Sequence, residues 1–481
     1  MRKMSGQPGT ILLCGLLLCT MGVLAMMGGC GGTSNSTPPP PPAAKIQHVV
    51  IIFQENRTPD NLFHDPVLMS RGADIASSGM DSKGNMITLT PTTLSTDYDL
   101  DHSHTAFLDA YDNGKMNGAN LVTVFCNGGG PPTCAPPNPW YQYVQASDVA
   151  PYFQLAETYT FGDKMFQTNQ GPSFPAHQFI ISGTSAPTPP GEQNSDLFNA
   201  ENPLGVASAL VDTGCTAPAA EFVKMIDPSG SEATEMYPCF DHPTLTDIFD
   251  AAKISWRYYA PSAGSIWTGP NAIQHLCVPN VAPPNGTSCT GPDWTNNVIL
   301  KNTQVLTDIA NGQLASVSWV IPSGQESDHA GINNGSGPAW VASVVNAIGN
   351  SQYWSNTAII ISWDDWGGWY DHVAPPAIIN SYEYGLRVPL IVVSPYAKPA
   401  YISHQVNDFG SILKFIEATF GVGNIAPGAS PAYADATTNT GDLSDCFDFT
   451  QTPLTFQTIP AAKDAKYFLE DKTPPTDPDD D

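Results

Sequence analysis

Four short apolar runs, residues 46–53 (IQHVVIIF), 315–321 (ASVSWVI), 357–363 (TAIIISW) and 388–393 (VPLIVV), constrain this chain more than any other feature in it. Each is rich in β-branched residues and almost continuously apolar over one strand length. That pattern suits a sheet buried on both faces, because a strand with one wet face would alternate. Helix-like stretches lie between the runs, at 244–253, 339–349 and 410–420. Strands alternating with helices predict an α/β sandwich around a mostly parallel central sheet. The stretch 185–300, crowded with Pro, Gly and Cys, is predicted to be a cap-like insertion on that scaffold. The main domain is then 45–465, and 466–481, ending in TPPTDPDDD, is predicted to be an unstructured acidic tail.

The two ends differ from the middle. Arg2 and Lys3 precede an uncharged apolar stretch at 11–27, then Gly28, Gly29 and Cys30. This is the pattern of a secretory signal over residues 1–30. Cys30 after two glycines also fits a lipoprotein signal, although Met27 stands where such signals usually carry Leu, so simple cleavage is the alternative. Residues 31–44 (GGTSNSTPPPPPAA) read as a flexible tether running into a stiff polyproline spacer. Seven cysteines follow the leader, and six fall into local couples. In an exported chain these predict disulfides 126–134, 215–239 and 277–289, with Cys446 left over. Zinc is the weaker alternative because no CxxC occurs. The formal charge of −27 repels phosphate backbones, which argues against a nucleic-acid partner.

In open α/β sheets ligands bind beyond the carboxyl ends of the strands. Glu55 and Asn56 follow the first run, Asp364 and Asp365 the third, and Ser327, Asp328 and His329 the second. Three strand ends therefore deliver acids, an amide and a histidine to one edge. Glu55, Asn56, Asp364 and Asp365 are all oxygen donors, a set that favours a divalent cation of unspecified identity. Without a cation the convergent carboxylates would repel and one would take up a proton. Any single one of these acids could equally be a helix cap.

Two further segments carry chemistry. In GPSFPAHQFIISG, Ser173 is fixed between prolines at the start of a helix, where free N–H groups and the dipole favour an anion. A metal on that hydroxyl would make it a nucleophile, whereas an ordinary helix-capping serine is the plainer reading. In DLDHSH, His102 and His104 sit among acids, as phosphate holders, as general acids, or simply in a solvated turn.

These blocks, in this order, resemble a bacterial phosphoesterase family that contains non-haemolytic phospholipases C and acid phosphatases. HVVIIFQENRTPDNLF, DLDHSHTAFLDAYDNGKMNG, GPSFPAHQFIISG, DHPTLTDIFDAAKISWRYY, SWVIPSGQESDHAG, WDDWGGWYDHVAPP and YGLRVPLIVVSPYAKPAYISH carry the likeness over residues 45–422. The resemblance implies an alkaline-phosphatase-like fold and a phosphoserine mechanism. It implies Ser173 as nucleophile, Glu55, Asn56, Asp364 and Asp365 as metal ligands, and His102 and His329 as phosphate-binding or proton-donating groups. His177, Asp328, His372 and His104 are expected to line the substrate pocket, with His404 a further candidate.

Ser173 stands where phospholipase members carry Thr, which points toward the acid-phosphatase branch and phosphomonoesters. Phospholipase C action on a lipid diester is the alternative. His177 stands where related sulfatases place Arg, which weakens a sulfatase reading, and a non-catalytic surface lipoprotein is weaker still. The expected partner is thus a small-molecule or lipid phosphate ester, with membrane attachment only through a lipidated Cys30. The expected location is outside the cytoplasm, either anchored at the envelope or secreted.

Overall fold

A computed structural model of the chain describes residues 45–126, 134–204, 212–376 and 380–476. The expected leader and polyproline spacer lie outside the described residues. Eight strands form the central sheet: β1 (His48–Gln54), β2 (Thr160–Gly162), β3 (Trp256–Tyr259), β4 (Val298–Ile299), β5 (Val317–Val320), β6 (Thr357–Trp363), β7 (Leu390–Val393) and β8 (Tyr401–Ser403). Their order across the sheet is β4-β3-β5-β1-β6-β7-β2-β8. Every pairing is parallel except those of β7 with β6 and β2, so seven strands share one direction and β7 opposes them. The four apolar runs are β1, β5, β6 and β7, each within a few residues of its expected limits.

The longer helices are α1 (His104–Tyr111), α2 (Ala146–Thr158), α3 (Ser173–Ser182), α4 (Leu245–Ala252), α5 (Gly337–Gly349) and α6 (Phe409–Phe420); α1 packs in a separate apolar cluster with Leu100, Trp366 and Trp369, and the others join the core around the sheet. The three helices expected from sequence are α4, α5 and α6. Thr244 with Asp247 boxes the start of α4, and Asp408 with Ser411 that of α6, which Gly421 ends in the left-handed region.

Strand register shows that both faces are covered. Phe53 of β1 meets Phe409 of α6, and Trp363 of β6 meets Tyr152 of α2. Gln54 pairs with Trp363, so Phe53 and Trp363 point to opposite faces. Trp319 of β5, opposite Ile51, shares the face of Phe53 and packs on Phe249 of α4. Val49 to Ile52 and Ala358 to Ile361 are accordingly wholly buried, which is the reason these runs needed no polar alternation.

Two boundaries differ from expectation. The stretch 185–300 is not all insertion: α4, β3 and β4 fall inside it and belong to the main sandwich. The remainder holds a separate antiparallel sheet of Phe198–Asn199, Val223–Ile226 and Thr234–Met236, and the loops around 260–297. The acidic tail is also partly ordered. A short helix, α7 (Ala465–Glu470), buries Phe468 against Trp340, and Thr476 hydrogen-bonds Gly324 and Gln325. Phe468 supplied the apolar contact that net charge concealed. The disulfides join Cys126–Cys134, Cys215–Cys239 and Cys277–Cys289, with Cys446 unpaired and buried. No helix among the described residues is long and apolar enough to cross a membrane.

Candidate active site

The floor of the site follows from the pairing of β1 with β6. Gln54 lies opposite Trp363, and the Asp364 N–H donates to the Gln54 carbonyl at 3.0 Å, so Glu55 and Asp364 emerge side by side at the carboxyl edge. Asn56 then adopts a left-handed conformation (φ 64°), which Asn tolerates better than most residues. Its N–H donates to Asp364 Oδ1 at 3.1 Å. Gly367, also left-handed, passes so close to Asn56 that a Cβ there would strike the Asn56 backbone.

Ser173 is the first residue of α3, with Pro172 at the cap position. It is therefore not the capping serine that sequence left open. Its hydroxyl donates to Asp365 Oδ2 at 3.1 Å, and the side chain is 1% exposed. The helix-terminal amides are not all free either, because Phe174 N–H donates to Asn202 Oδ1 at 2.9 Å.

His177 lies one turn beyond Ser173 and shares its face of α3. Its Nε2 sits 3.5 Å from Glu55 Oε1 and 3.6 Å from Asp364 Oδ2. The structure thus places this expected pocket residue against the carboxylates. Its Nδ1 donates to the Tyr258 hydroxyl at 3.3 Å, and that hydroxyl donates to the Trp267 carbonyl at 2.9 Å. The arrangement fixes the tautomer and turns the Nε2 lone pair toward the acids. Burial lowers the imidazole pKa to about 4, so it is neutral.

Glu55 Oε1 and Oε2, Asn56 Oδ1, Asp364 Oδ2 and His177 Nε2 are buried and find no hydrogen-bond partner among the described residues. All five atoms present lone pairs. Burial, reinforced by neighbouring charge, pushes the Glu55 and Asp364 carboxyls well above the usual range and Asp365 to about 7. Acceptors this crowded need a proton or a cation between them, and one atom each of Glu55, His177 and Asp364 lies within 4.8 Å of the others. Carboxylate, amide and imidazole together fit a divalent ion.

His102 and His329 form the opposite wall, their rings 5.6 Å apart. His102 Nδ1 donates to the Leu100 carbonyl at 2.9 Å. Its Nε2 accepts from Asn56 Nδ2 at 3.0 Å and lies 3.9 Å from Asp365 Oδ2. His329 Nδ1 donates to the Ala330 carbonyl at 2.7 Å, and burial lowers this imidazole to about 3.

Three expected pocket residues are engaged elsewhere. Asp328 accepts from the Tyr152 hydroxyl at 2.8 Å and from Trp363 Nε1 at 3.0 Å, so it braces α2 against β6. His372 bridges Asp60 at 2.7 Å and Asp74 at 2.9 Å, beside Arg387, which binds Asp371 and Asp60. Burial opposes its charge, but Asp60 prevails and holds it up to about 9. His404 pairs with Asp163 on the surface. His104 stands beside the Ser173 loop rather than in the carboxylate cluster, with Nε2 3.1 Å from Gln170 Oε1 and Nδ1 on Glu232.

Sequence reasoning passed over Trp267 and Asn202, which sit in the loop-rich stretch with no motif around them. Trp267 packs between His177 and His329, at ring separations of 6.5 and 6.0 Å. Tyr258 is the last residue but one of a quoted block, but only the α3–β3 contact reveals its grip on His177.

A mainly parallel sheet that gathers acids, imidazoles and a helix-borne hydroxyl at its carboxyl edge has the layout of a hydrolase acting on esters. The chain belongs to the Phosphoesterase family, whose model matches residues 46–423. That span agrees with the resemblance read from the ordered blocks. Non-hemolytic phospholipase C of Pseudomonas aeruginosa is 26% identical over 342 residues, covering 64% of this chain and 43% of that protein. Non-hemolytic phospholipase C of Burkholderia pseudomallei is 29% identical over 263 residues, covering 45% and 37%. Phospholipase C B of Mycobacterium tuberculosis is 31% identical over 170 residues, covering 30% and 32%. The chain thus spans less than half the length of these curated relatives. A solved protein of the alkaline phosphatase superfamily from Vibrio parahaemolyticus aligns over 84% of this chain and 72% of its own, with 9% identity and a TM-score of 0.35.

Proposed function

We propose that this protein is an exported, metal-dependent phosphoester hydrolase that works through a phosphoserine at Ser173, with phosphomonoesters as its leading substrates. The observation that carries this reading is the Ser173 hydroxyl held on Asp365 beside five unpartnered lone-pair atoms. A divalent ion held by Glu55, Asn56, Asp364 and Asp365, with His177 beside them, supplies positive charge that acidifies the hydroxyl and offsets charge on the phosphoryl group. Asp365 Oδ2 takes the Ser173 proton as Oγ attacks phosphorus in line with the departing alcohol. His102, the imidazole nearer Asp365, protonates the leaving oxygen once its Nε2 has taken up a proton from solvent and released the Asn56 amide. His329 lines the same wall in neutral form. Water then attacks the phosphoserine and gives a proton to His102, the phosphorus–Oγ bond breaks, and Asp365 returns its proton to Oγ as phosphate leaves.

Membership of the Phosphoesterase family supports the reaction class. The deep burial of Ser173 and the charge of −27, unsuited to an anionic lipid surface, support small monoesters. Phospholipase C action on a diester is the second reading, favoured by the names of the curated relatives. Three disulfides and the leader-like start support export.

The deciding experiment compares p-nitrophenyl phosphate with p-nitrophenyl phosphorylcholine, with and without a chelator, for wild type and Ser173→Ala. Monoester turnover that both the chelator and the substitution abolish is expected. A strong preference for the phosphorylcholine diester would select the phospholipase reading. Substantial turnover by Ser173→Ala would refute the mechanism.

A further inference from the structure

The acceptor atoms on the floor have a counterpart. Three buried N–H donors on residues of the site lack an acceptor among the described residues: Asn202 Nδ2, Gln170 Nε2 and Trp267 Nε1. Asn202 and Gln170 are each 2% exposed and Trp267 is fully buried. An unpaired buried donor is costly, so three on the residues that surround one site call for an explanation. Gln170 precedes the serine by three residues, and its Oε1 is taken up by His104 Nε2 at 3.1 Å, which leaves only the amino group for a ligand. Trp267 lies between His177 and His329, two residues that wall the site.

Asn202 is the most informative of the three. Its Oδ1 accepts from the backbone N–H of Phe174, the residue after the serine. That amide belongs to the first turn of α3, a ten-residue helix whose start carries the positive end of the dipole. The Asn202 carbonyl therefore occupies one of the N–H groups that an anion at a helix start would otherwise use. A side-chain amide that accepts at oxygen is polarised to donate more strongly at nitrogen. Its Nδ2 shares one carbon with that oxygen, so it stays beside the helix start next to Ser173.

We propose that Asn202 is a substrate-binding residue. Its Nδ2 donates to a non-bridging oxygen of the phosphoryl group under attack, and so relays the N-terminus of α3 to the substrate. Gln170 Nε2 and Trp267 Nε1 complete a donor wall facing the acceptor floor. A phosphoryl group suits such a chamber, because its oxygens are acceptors on every side. The inference rests on the phosphoester reading and deepens it.

Asn202→Asp separates this role from a purely structural one. The carboxylate still accepts from Phe174 N–H, and an anion at a helix start preserves the cap. It removes the donor and faces the phosphoryl group with negative charge. For the metal-loaded protein we expect unchanged melting temperature and metal content. We expect kcat/KM on p-nitrophenyl phosphate to fall by about 10²–10³-fold, and inorganic phosphate to inhibit much more weakly. A helix-capping role alone predicts wild-type kinetics and wild-type phosphate inhibition in Asn202→Asp, and that result would overturn the assignment. Should the Asp variant fail to fold, Asn202→Ser removes the donor amide without adding charge and carries the same comparison. A wild-type protein that neither hydrolyses phosphate esters nor binds inorganic phosphate would refute the phosphoester reading, and the Asn202 role with it. Wild-type activity that Asn202→Asp retains would refute the Asn202 role alone.

Discussion

Gly171 offers a test of how tightly the serine is placed. Its carbonyl accepts from Gln167 Nε2 at 2.8 Å and Asn169 Nδ2 at 2.9 Å, so two buried amides pin the loop that leads into α3. A methyl group on Gly171 would overlap the Tyr382 hydroxyl and the Ala200 carbonyl oxygen, far inside van der Waals contact. The Tyr382 hydroxyl is itself bonded to Ala200 at 2.9 Å, so neither obstacle swings away freely. Relieving the overlap takes about 1 Å of movement, an overpacking strain typically worth about 1–3 kcal/mol. Displacing a reacting group by about 1 Å costs on the order of 10²-fold in turnover. Gly171→Ala should therefore lower kcat on p-nitrophenyl phosphate by roughly 10²-fold. Divalent-ion affinity, measured by calorimetry, should hardly change, because Glu55 and Asp364 are set by β1 and β6. Adding Tyr382→Phe should recover only part of the loss, since the Ala200 carbonyl remains. Near-wild-type kcat in Gly171→Ala would show that the serine is not held as argued.

Other perturbations test the surroundings. His177→Ala should weaken divalent-ion binding by about 10–100-fold, read by calorimetric titration; unchanged affinity would remove His177 from the ion's neighbours. Arg387 is buried with Asp371 and Asp60, so Arg387→Ala should cost about 3–5 kcal/mol in urea unfolding by stranding those acids, and Lys should not restore the forked contact. Burial, aided by Asp408, raises Glu383 from 4.5 to about 8. Between those values the native state holds a proton that the unfolded chain has released. Its contribution therefore falls as pH rises through that window, by up to about 1.4 kcal/mol per pH unit. Glu383→Gln should flatten the loss of stability between about pH 5 and pH 8 in urea titrations; parallel curves for the two proteins would contradict the shift.

Much of the scaffold was legible because burial on both faces leaves a continuous apolar signature. β1, β5, β6 and β7 each carry it, whereas β2 (TFG), β4 (VI) and β8 (YIS) are too short to show a period. Nor does an apolar run state its direction, so the reversal of β7 was hidden. The end-of-strand rule found Glu55, Asn56, Asp364 and Asp365 because parallel neighbours in register must open at one edge. His177 could have been placed better, since its spacing from Ser173 puts both on one helical face. Asp328 and His329 show the opposite problem: neighbours in a loop, one turns to Tyr152 and Trp363 while the other enters the site. His372 was drawn off by a cluster of acids whose members are distant in sequence. Asn202 and Trp267 depend on long-range folding of irregular chain, and no local pattern announces them.

The disulfides divide the site into two materials. Glu55, Asp364 and Asp365 directly follow strands that no disulfide touches, while Cys215–Cys239 and Cys277–Cys289 lie in the segments on either side of Trp267, and the former also follows Asn202. The charged floor is thus made by the sheet, and the part of the wall that carries Asn202 and Trp267 by loops flanked by these cross-links. Under reducing conditions such a molecule would be a vessel with its base intact and its sides slack. It would still bind a cation but grip an ester poorly, so its redox surroundings would govern capacity for substrate separately from survival of the fold.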